Sequence, residues 1–192
     1  MHLTKRQQKK LVSAVLALIV IILGNYFLEQ PQITTVTKEP VTPGFYRVVK
    51  ASDGDTIVVD MNSTEERVRL IGVDTPEKDH PSKPVQCFAL AASNYTKNLI
   101  GNHPVRLEAD PTNSNRDRYN RLLRYVYLPD GRLVNAEIIK HGYGFAYIGF
   151  PFEKKDEFKK YQAEAKQNNR GLWGSCDVFT NKYDSPESPA AD

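Results

Sequence analysis

Three short clusters carry the residues that could do chemistry in this chain of 192 residues. They are Asp53-Gly54-Asp55-Thr56, then Arg69-Leu70-Ile71-Gly72-Val73-Asp74-Thr75-Pro76-Glu77, and last Asp117-Arg118-Tyr119-Asn120-Arg121. Each has a plain structural reading by itself. Asp-Gly pairs are common in hairpin turns. Asp-Thr-Pro-Glu suits a helix start, with Asp74 or Thr75 as cap and Pro76 in the first turn. The third cluster reads as a polar loop before a strand. Together they say more. Asp55 and Asp74 can converge if their strands are neighbours, and their hard oxygens suit Ca²⁺, which also accepts carbonyls and water. Glu77 lies three residues beyond Asp74, placed to hold or deprotonate a water. The guanidinium forks of Arg69 and Arg121 match phosphate oxygens and stay charged. A divalent cation, an acid for water and two arginines are the parts that phosphodiester hydrolysis requires.

These residues need a frame. Strands are expected at Phe45–Val49, Thr56–Met61, Arg67–Val73, Pro104–Ala109 and Leu122–Leu128, from β-branched content and alternation. Helices are expected over Val85–Ile100, stopped by Gly101, over Leu133–His141, ended by Gly142, and over Phe152–Asn169, ended near Gly171. Short strands interleaved with helices suggest an α+β class. Five strands of this size can close into a small OB-type barrel, although periodicity alone does not establish closure.

The motifs carry a resemblance. Asp53-Gly54-Asp55-Thr56-Ile57, then Arg69 through Asp74-Thr75-Pro76-Glu77, resembles the first signature of the staphylococcal nuclease (thermonuclease) family. Asp117-Arg118-Tyr119-Asn120-Arg121 with Tyr125-Val126-Tyr127 resembles its second, and the likeness runs over about residues 44–176 to Gly171-Leu172-Trp173. It implies a five-stranded OB-fold barrel with three helices. It implies Ca²⁺-dependent cleavage of DNA and RNA without sequence specificity, by water attack on phosphorus, leaving 3′-phosphate ends. By position, Asp55 and Asp74 would ligate calcium through side chains and Thr75 through its carbonyl, with Asp53 supporting them. Glu77 would orient or deprotonate the water, Arg69 and Arg121 would bind the phosphate, and Tyr119 and Tyr147 would contact the nucleotide. Three positions depart from the pattern: Asn120 stands where the family has Gly, Arg124 replaces a small residue, and Gly149 stands where a second tyrosine is usual. The alternative is a binding module of the same fold, for nucleic acid or protein, without turnover.

The rest of the chain sets the context. Residues 1–10 hold four basic side chains (Lys5, Arg6, Lys9, Lys10) and no acid. Without them, 22 Lys and Arg face 23 Asp and Glu, so the net +3 belongs to this flank and does not argue for nucleic acid. Residues 11–28 are almost wholly apolar, near the short end of a membrane span. With the basic flank inside, they are expected to anchor a translocated, extracytoplasmic domain; cleavage as a signal peptide is the rival. Residues 29–43 read as a tether with three prolines, 44–178 as the folded domain, and the acidic, Ser/Pro-rich 179–192 as a disordered tail. The two cysteines, Cys87 and Cys176, exclude a four-cysteine zinc site. In an oxidising compartment they can pair, pinning the C-terminus to the first helix, or remain separate thiols. The four histidines have no metal-ligand spacing; Lys154, Lys155, Lys159 and Lys160 read as a solvated helix face, and Trp173 as a core anchor. The protein is expected to be a monomer.

Overall fold

A computed structural model describes residues 5, 6, 18, 19, 42–79 and 84–191. The basic flank, the apolar stretch 11–28 and the tether 29–43 fall almost wholly outside these residues. No helix among the described residues is long and apolar enough to cross a membrane.

In chain order the elements are β1 (Phe45–Ala51), β2 (Thr56–Met61), β3 (Thr64–Leu70), β4 (Val73–Asp74), α1 (Ala89–Ile100), β5 (Val105–Glu108), β6 (Leu122–Tyr127), α2 (Val134–Lys140), β7 (Phe145–Ala146), α3 (Lys155–Gln167), α4 (Leu172–Ser175), β8 (Phe179–Thr180) and β9 (Pro186–Glu187). Five strands close a barrel in the order β1-β2-β3-β6-β5. Three helices and the single turn α4 accompany them, as the resemblance implied. The β-branched run Ile57-Val58-Val59 favours the pleated backbone of β2. In β3, Val68 and Leu70 alternate inward while Arg67 and Arg69 face outward. Ile57, Val59, Val68, Leu70, Val105, Leu122 and Val126 share one core. An irregularity between Val48 and Lys50 bends β1, which pairs β2 on one side and β5 on the other.

The closing seam decides where the site lies. β3 pairs β6 in parallel, with Val68 opposite Leu122 and Arg69 opposite Leu123. That register brings the end of the first signature beside the start of the second. Buried Asn135 of α2 holds the seam: its Nδ2 donates to Ile71 O (2.9 Å) and Arg124 O (3.2 Å), and its Oδ1 accepts from Val126 N (2.9 Å). Removing that amide would strand buried backbone groups, at about 1–3 kcal/mol for each. Gly72 takes φ +71°, and a Cβ there would meet the Phe152 ring at 2.7 Å, so the turn from β3 to β4 lies directly on the aromatic core.

Three expectations change. The strand expected over Arg67–Val73 begins earlier, at Thr64, and stops at Leu70, because the turn at Gly72 breaks it from β4. Helix α1 begins at Ala89 rather than Val85, because residues 86–88 pair elsewhere. Gln86 N donates to Glu77 O (2.9 Å), Cys87 N to Pro189 O (2.8 Å), and Phe88 turns through φ +70°. The acidic tail, expected to be disordered, is folded over residues 179–191. β8 and β9 pair antiparallel, Ala190 bridges Gln86, and Ala191 N donates to Val85 O (2.8 Å). Cys87 and Cys176 form a disulfide, with Cα atoms 6.0 Å apart, which delivers the segment to this place. Composition suggested disorder; tertiary pairing supplies the partners that a polar segment lacks by itself.

Candidate functional site

The first signature folds as a turn between β1 and β2. Ser52 N donates to Thr56 O (2.9 Å), and Asp55 N donates to Asp53 Oδ1 (3.1 Å). Asp53 thus shapes the turn that presents Asp55. Gly54 is required: a Cβ there would meet Thr75 side-chain atoms at 2.7–2.8 Å. Thr96 of α1 donates its hydroxyl to Gly54 O (2.6 Å), fixing the turn from behind.

Asp55 is only 5% exposed. Its Oδ2 accepts from Thr75 N (3.0 Å) and Thr75 Oγ1 (3.2 Å), and its Oδ1 from Thr56 Oγ1 (3.1 Å). Arg69 forms an ion pair with Asp55 and donates from Nη2 to Asp74 Oδ1 (2.9 Å). The two carboxylates therefore meet at one guanidinium, although their strands do not pair: β2 lies between β1 and β3, β4 pairs β7, and Thr75 ties the two together. A charge buried this deeply requires a partner, and Arg69 supplies it.

The second signature arrives along the seam. Asp117 accepts from Arg121 Nε (2.7 Å), Arg121 N (2.9 Å) and Tyr119 N (2.9 Å). Burial would raise the Asp117 pKa, but these hydrogen bonds and the Arg121 charge outweigh it and hold the group below its ordinary value. Asn120 takes φ +62°, the left-handed conformation that Asn tolerates in place of Gly. Arg121 Nη1 reaches Thr56 Oγ1 (3.4 Å). A continuous chain of contacts thus runs from Arg121 through Thr56, Asp55 and Arg69 to Asp74.

Arg69, Asp74, Asp117 and Arg121 line a cavity of about 960 Å³ together with Glu77, Tyr119 and Tyr147, while Asp55 and Thr56 are buried and do not line it. Tyr119 is 61% and Tyr147 42% exposed. The guanidiniums of Arg118 and Arg121 lie 4.8 and 5.3 Å from the Tyr119 ring centroid, which keeps this ring beside the cationic side of the cleft. Among the described residues no three His, Cys, Asp or Glu side chains group as a metal cluster. A cation here would rest on two carboxylates and a backbone carbonyl. Both carboxylates already converge on one positive charge, and hard oxygens alone are what Ca²⁺ takes, so the donor set fits that ion.

Some contributors escaped the sequence. Thr56 links the two halves of the site. Buried Gln86 accepts from Glu77 N through Oε1 (2.7 Å) and donates from Nε2 to Glu187 Oε1 and Ser188 O (both 3.1 Å). The β8–β9 segment lines the same cavity through Asn181, Tyr183, Ser185 and Glu187. No local pattern marks Gln86, since its partners lie nine and about a hundred positions away. Arg124 is turned to the loop before the seam, donating to Asn115 Oδ1 (2.6 Å) and Leu123 O (2.6 Å), and does not line the cavity. Trp173 is half-buried, edge-on to Phe145 at 5.4 Å; Leu172 beside it is the fully buried anchor.

The sequence profile described as Staphylococcal nuclease homologue matches residues 67–175. The thermonuclease of Staphylococcus intermedius is 42% identical over 129 residues, covering 67% of this chain and 75% of that protein. The thermonuclease of Staphylococcus hyicus is 36% identical over 131 residues, covering 68% and 76%. Endonuclease YncB of Bacillus subtilis is 38% identical over 135 residues, covering 69% and 63%. With the profile spanning more than half of the chain and two such relatives matched over three quarters of their length, the chain belongs to the staphylococcal nuclease family and is a nuclease.

Proposed function

We propose that this nuclease hydrolyses DNA and RNA with Ca²⁺, by attack of water on phosphorus, leaving 3′-phosphate ends. The observation that supports the reading is the contact chain Arg121–Thr56–Asp55–Arg69–Asp74: Arg69, Arg121 and Asp74 line one cleft with Glu77, and buried Asp55 is joined to it through Arg69. Arg69 and Arg121 bind the scissile phosphate and offset the charge that grows on its oxygens. Glu77 orients the water and takes its proton. As the water oxygen bonds to phosphorus, the bond to the 5′-oxygen breaks; that oxygen takes a proton from solvent and leaves as a 5′-hydroxyl, and the phosphate stays on the 3′ side. Asp55, Asp74 and the Thr75 carbonyl would hold Ca²⁺, which supplies positive charge to polarise the phosphate. Asp53 keeps Asp55 in place, and Tyr119 and Tyr147 receive the nucleotide. All of these groups come from one chain, which suits action as a monomer.

The compartment follows from different features. The basic residues 1–10 before the apolar run 11–28 suit an anchor with its N-terminus inside and the nuclease domain outside. A disulfide between Cys87 and Cys176 suits an oxidising compartment.

The test is digestion of single- and double-stranded DNA and RNA by the full chain with Ca²⁺, Mg²⁺ or chelator. We expect cleavage with Ca²⁺, loss with chelator, and 3′-phosphate ends on the products. Glu77→Ala and Arg121→Ala should each lower kcat by several orders of magnitude with the fold retained, because both groups act on the transition state. Near-parental turnover in either variant would refute these roles.

A further inference from the structure

The C-terminal strand pair has no place in the two signatures, yet it forms part of the catalytic cleft. Asn181, Tyr183, Ser185, Pro186 and Glu187 line the same cavity as Arg69 and Arg121. The segment is firmly held. The disulfide to Cys87 precedes it; Cys87 N donates to Pro189 O, and Gln86 Nε2 to Ser188 O. Its turn is shaped by Asn181, whose Oδ1 accepts from Tyr183 N (2.9 Å) and Ser185 N (3.2 Å), while Asp184 takes φ +56°. Asn181 Nδ2 and Gln86 Nε2 both donate to the Glu187 carboxylate, tying the turn to the residue that also contacts Glu77.

At the tip of this rigid turn stands Tyr183, 76% exposed. Its ring lies on the rim of the cleft that holds Arg69 and Arg121. Lys182 Nζ sits 5.0 Å from its ring centroid, adding a cation beside the aromatic face. Exposed rings interleaved with basic groups along one groove are the arrangement by which proteins hold single-stranded nucleic acid: the cations follow the backbone and the rings stack on bases. Tyr119, Tyr147 and Tyr183 give the cleft three such rings.

We propose that Tyr183 is a base-stacking residue of this nuclease, carried into the cleft by the C-terminal strand pair, and that it favours unpaired over paired strands. The inference rests on the phosphodiesterase reading of the cleft. Only an unpaired base can offer its face to a side chain; in a duplex that face is covered by its neighbours. Tyr183 touches base and not the reacting atoms, so its loss acts on KM.

The experiment compares the full-length chain in mild detergent with Tyr183→Ala and Tyr183→Phe. Substrates are a single-stranded oligonucleotide and a hairpin duplex of the same sequence. Tyr183→Ala should raise KM for the single strand by about 5- to 150-fold, with kcat unchanged and duplex cleavage little altered. Tyr183→Phe should restore the parental KM, because stacking needs the ring and not the hydroxyl. Oligonucleotide binding followed by fluorescence anisotropy in a Glu77→Ala background reads the same subsite without turnover. Unchanged KM and binding in Tyr183→Ala, or equal losses on both substrates, would overturn the stacking role and leave the nuclease reading standing. A parent chain that binds through Tyr183 but does not cut would sink the catalytic reading and keep the stacking role.

Discussion

Asp117 touches no substrate in the reading above, which makes it a sharp test of how Arg121 is aimed. In Asp117→Ala, Arg121 loses the carboxylate that accepts from its Nε at 2.7 Å and from its backbone N at 2.9 Å, and Tyr119 N loses a partner at 2.9 Å. The side chains of Arg121 and Asp117 are 20% and 16% exposed, so water replaces part of what is lost. The stability cost is then about 1–2 kcal/mol, well below the sum of three separate bonds. The catalytic cost is larger. A misplacement of about 1 Å in a positioned group costs on the order of 10²-fold, and Arg121 keeps just the long 3.4 Å contact with Thr56 and the exposed Tyr119 ring at 5.3 Å in place of its main tie. We expect kcat to fall about 10²-fold, and Asp117→Asn, which keeps an acceptor oxygen without the charge, to lie between the two. Release of acid-soluble nucleotides gives kcat, and urea midpoints give stability. An Asp117→Ala chain turning over within a factor of about three of the parent would show that Arg121 needs no such guide.

Two further outcomes concern stability. Reducing the Cys87–Cys176 bond, or replacing both residues with Ser, should cost about 2–4 kcal/mol, since the cross-link spans 89 residues and such loops approach the upper range of chain-entropy stabilisation; urea midpoints with and without reductant check this. Stability should also fall at both pH extremes. Burial would raise the Asp110 pKa, but hydrogen bonds from Thr112, Tyr125 and Glu153 hold it below its ordinary value; its contribution is present above the unfolded pKa near 4 and lost as pH falls through the lower folded value. Burial, then Glu137, pushes the Tyr95 phenol up to about 12, so its contribution is present below the unfolded value near 10 and lost as pH rises through the folded one. Flat urea midpoints from pH 2 to 5 in the parent, or an acid limb unchanged by Asp110→Asn, would contradict this account.

The sequence made the chemistry legible where it is local. β2 has the expected bounds, Thr56–Met61, because its β-branched run needs no distant partner to be recognised. Asp55, Asp74, Arg69 and Arg121 stand at strand ends, where alternation and turn residues mark both the strand and its stop. What escaped depends on contacts between remote segments. Val85 to Phe88 continue a helical pattern on paper, yet Gln86 is drawn off to pair with Glu77 and Ala190. The tail from Phe179 has the composition of a disordered chain, and only Cys87, Gln86 and Val85 give it something to pair with. Thr56 belongs to the first cluster, yet its part in the site shows only when β6 brings Arg121 alongside it.

The parallel seam between β3 and β6 also carries a consequence for synthesis. A chain emerging from the ribosome holds Arg69, Asp55, Asp74 and Glu77 long before residue 122 exists. Those groups gain Arg121 only when Val68 finds Leu122, a pairing across 54 positions that must await the intervening helix and strand. A truncated or stalled product therefore has half a blade and nothing to cut against, so destructive capacity appears only with the finished barrel, a safeguard for a cell that must make a nuclease.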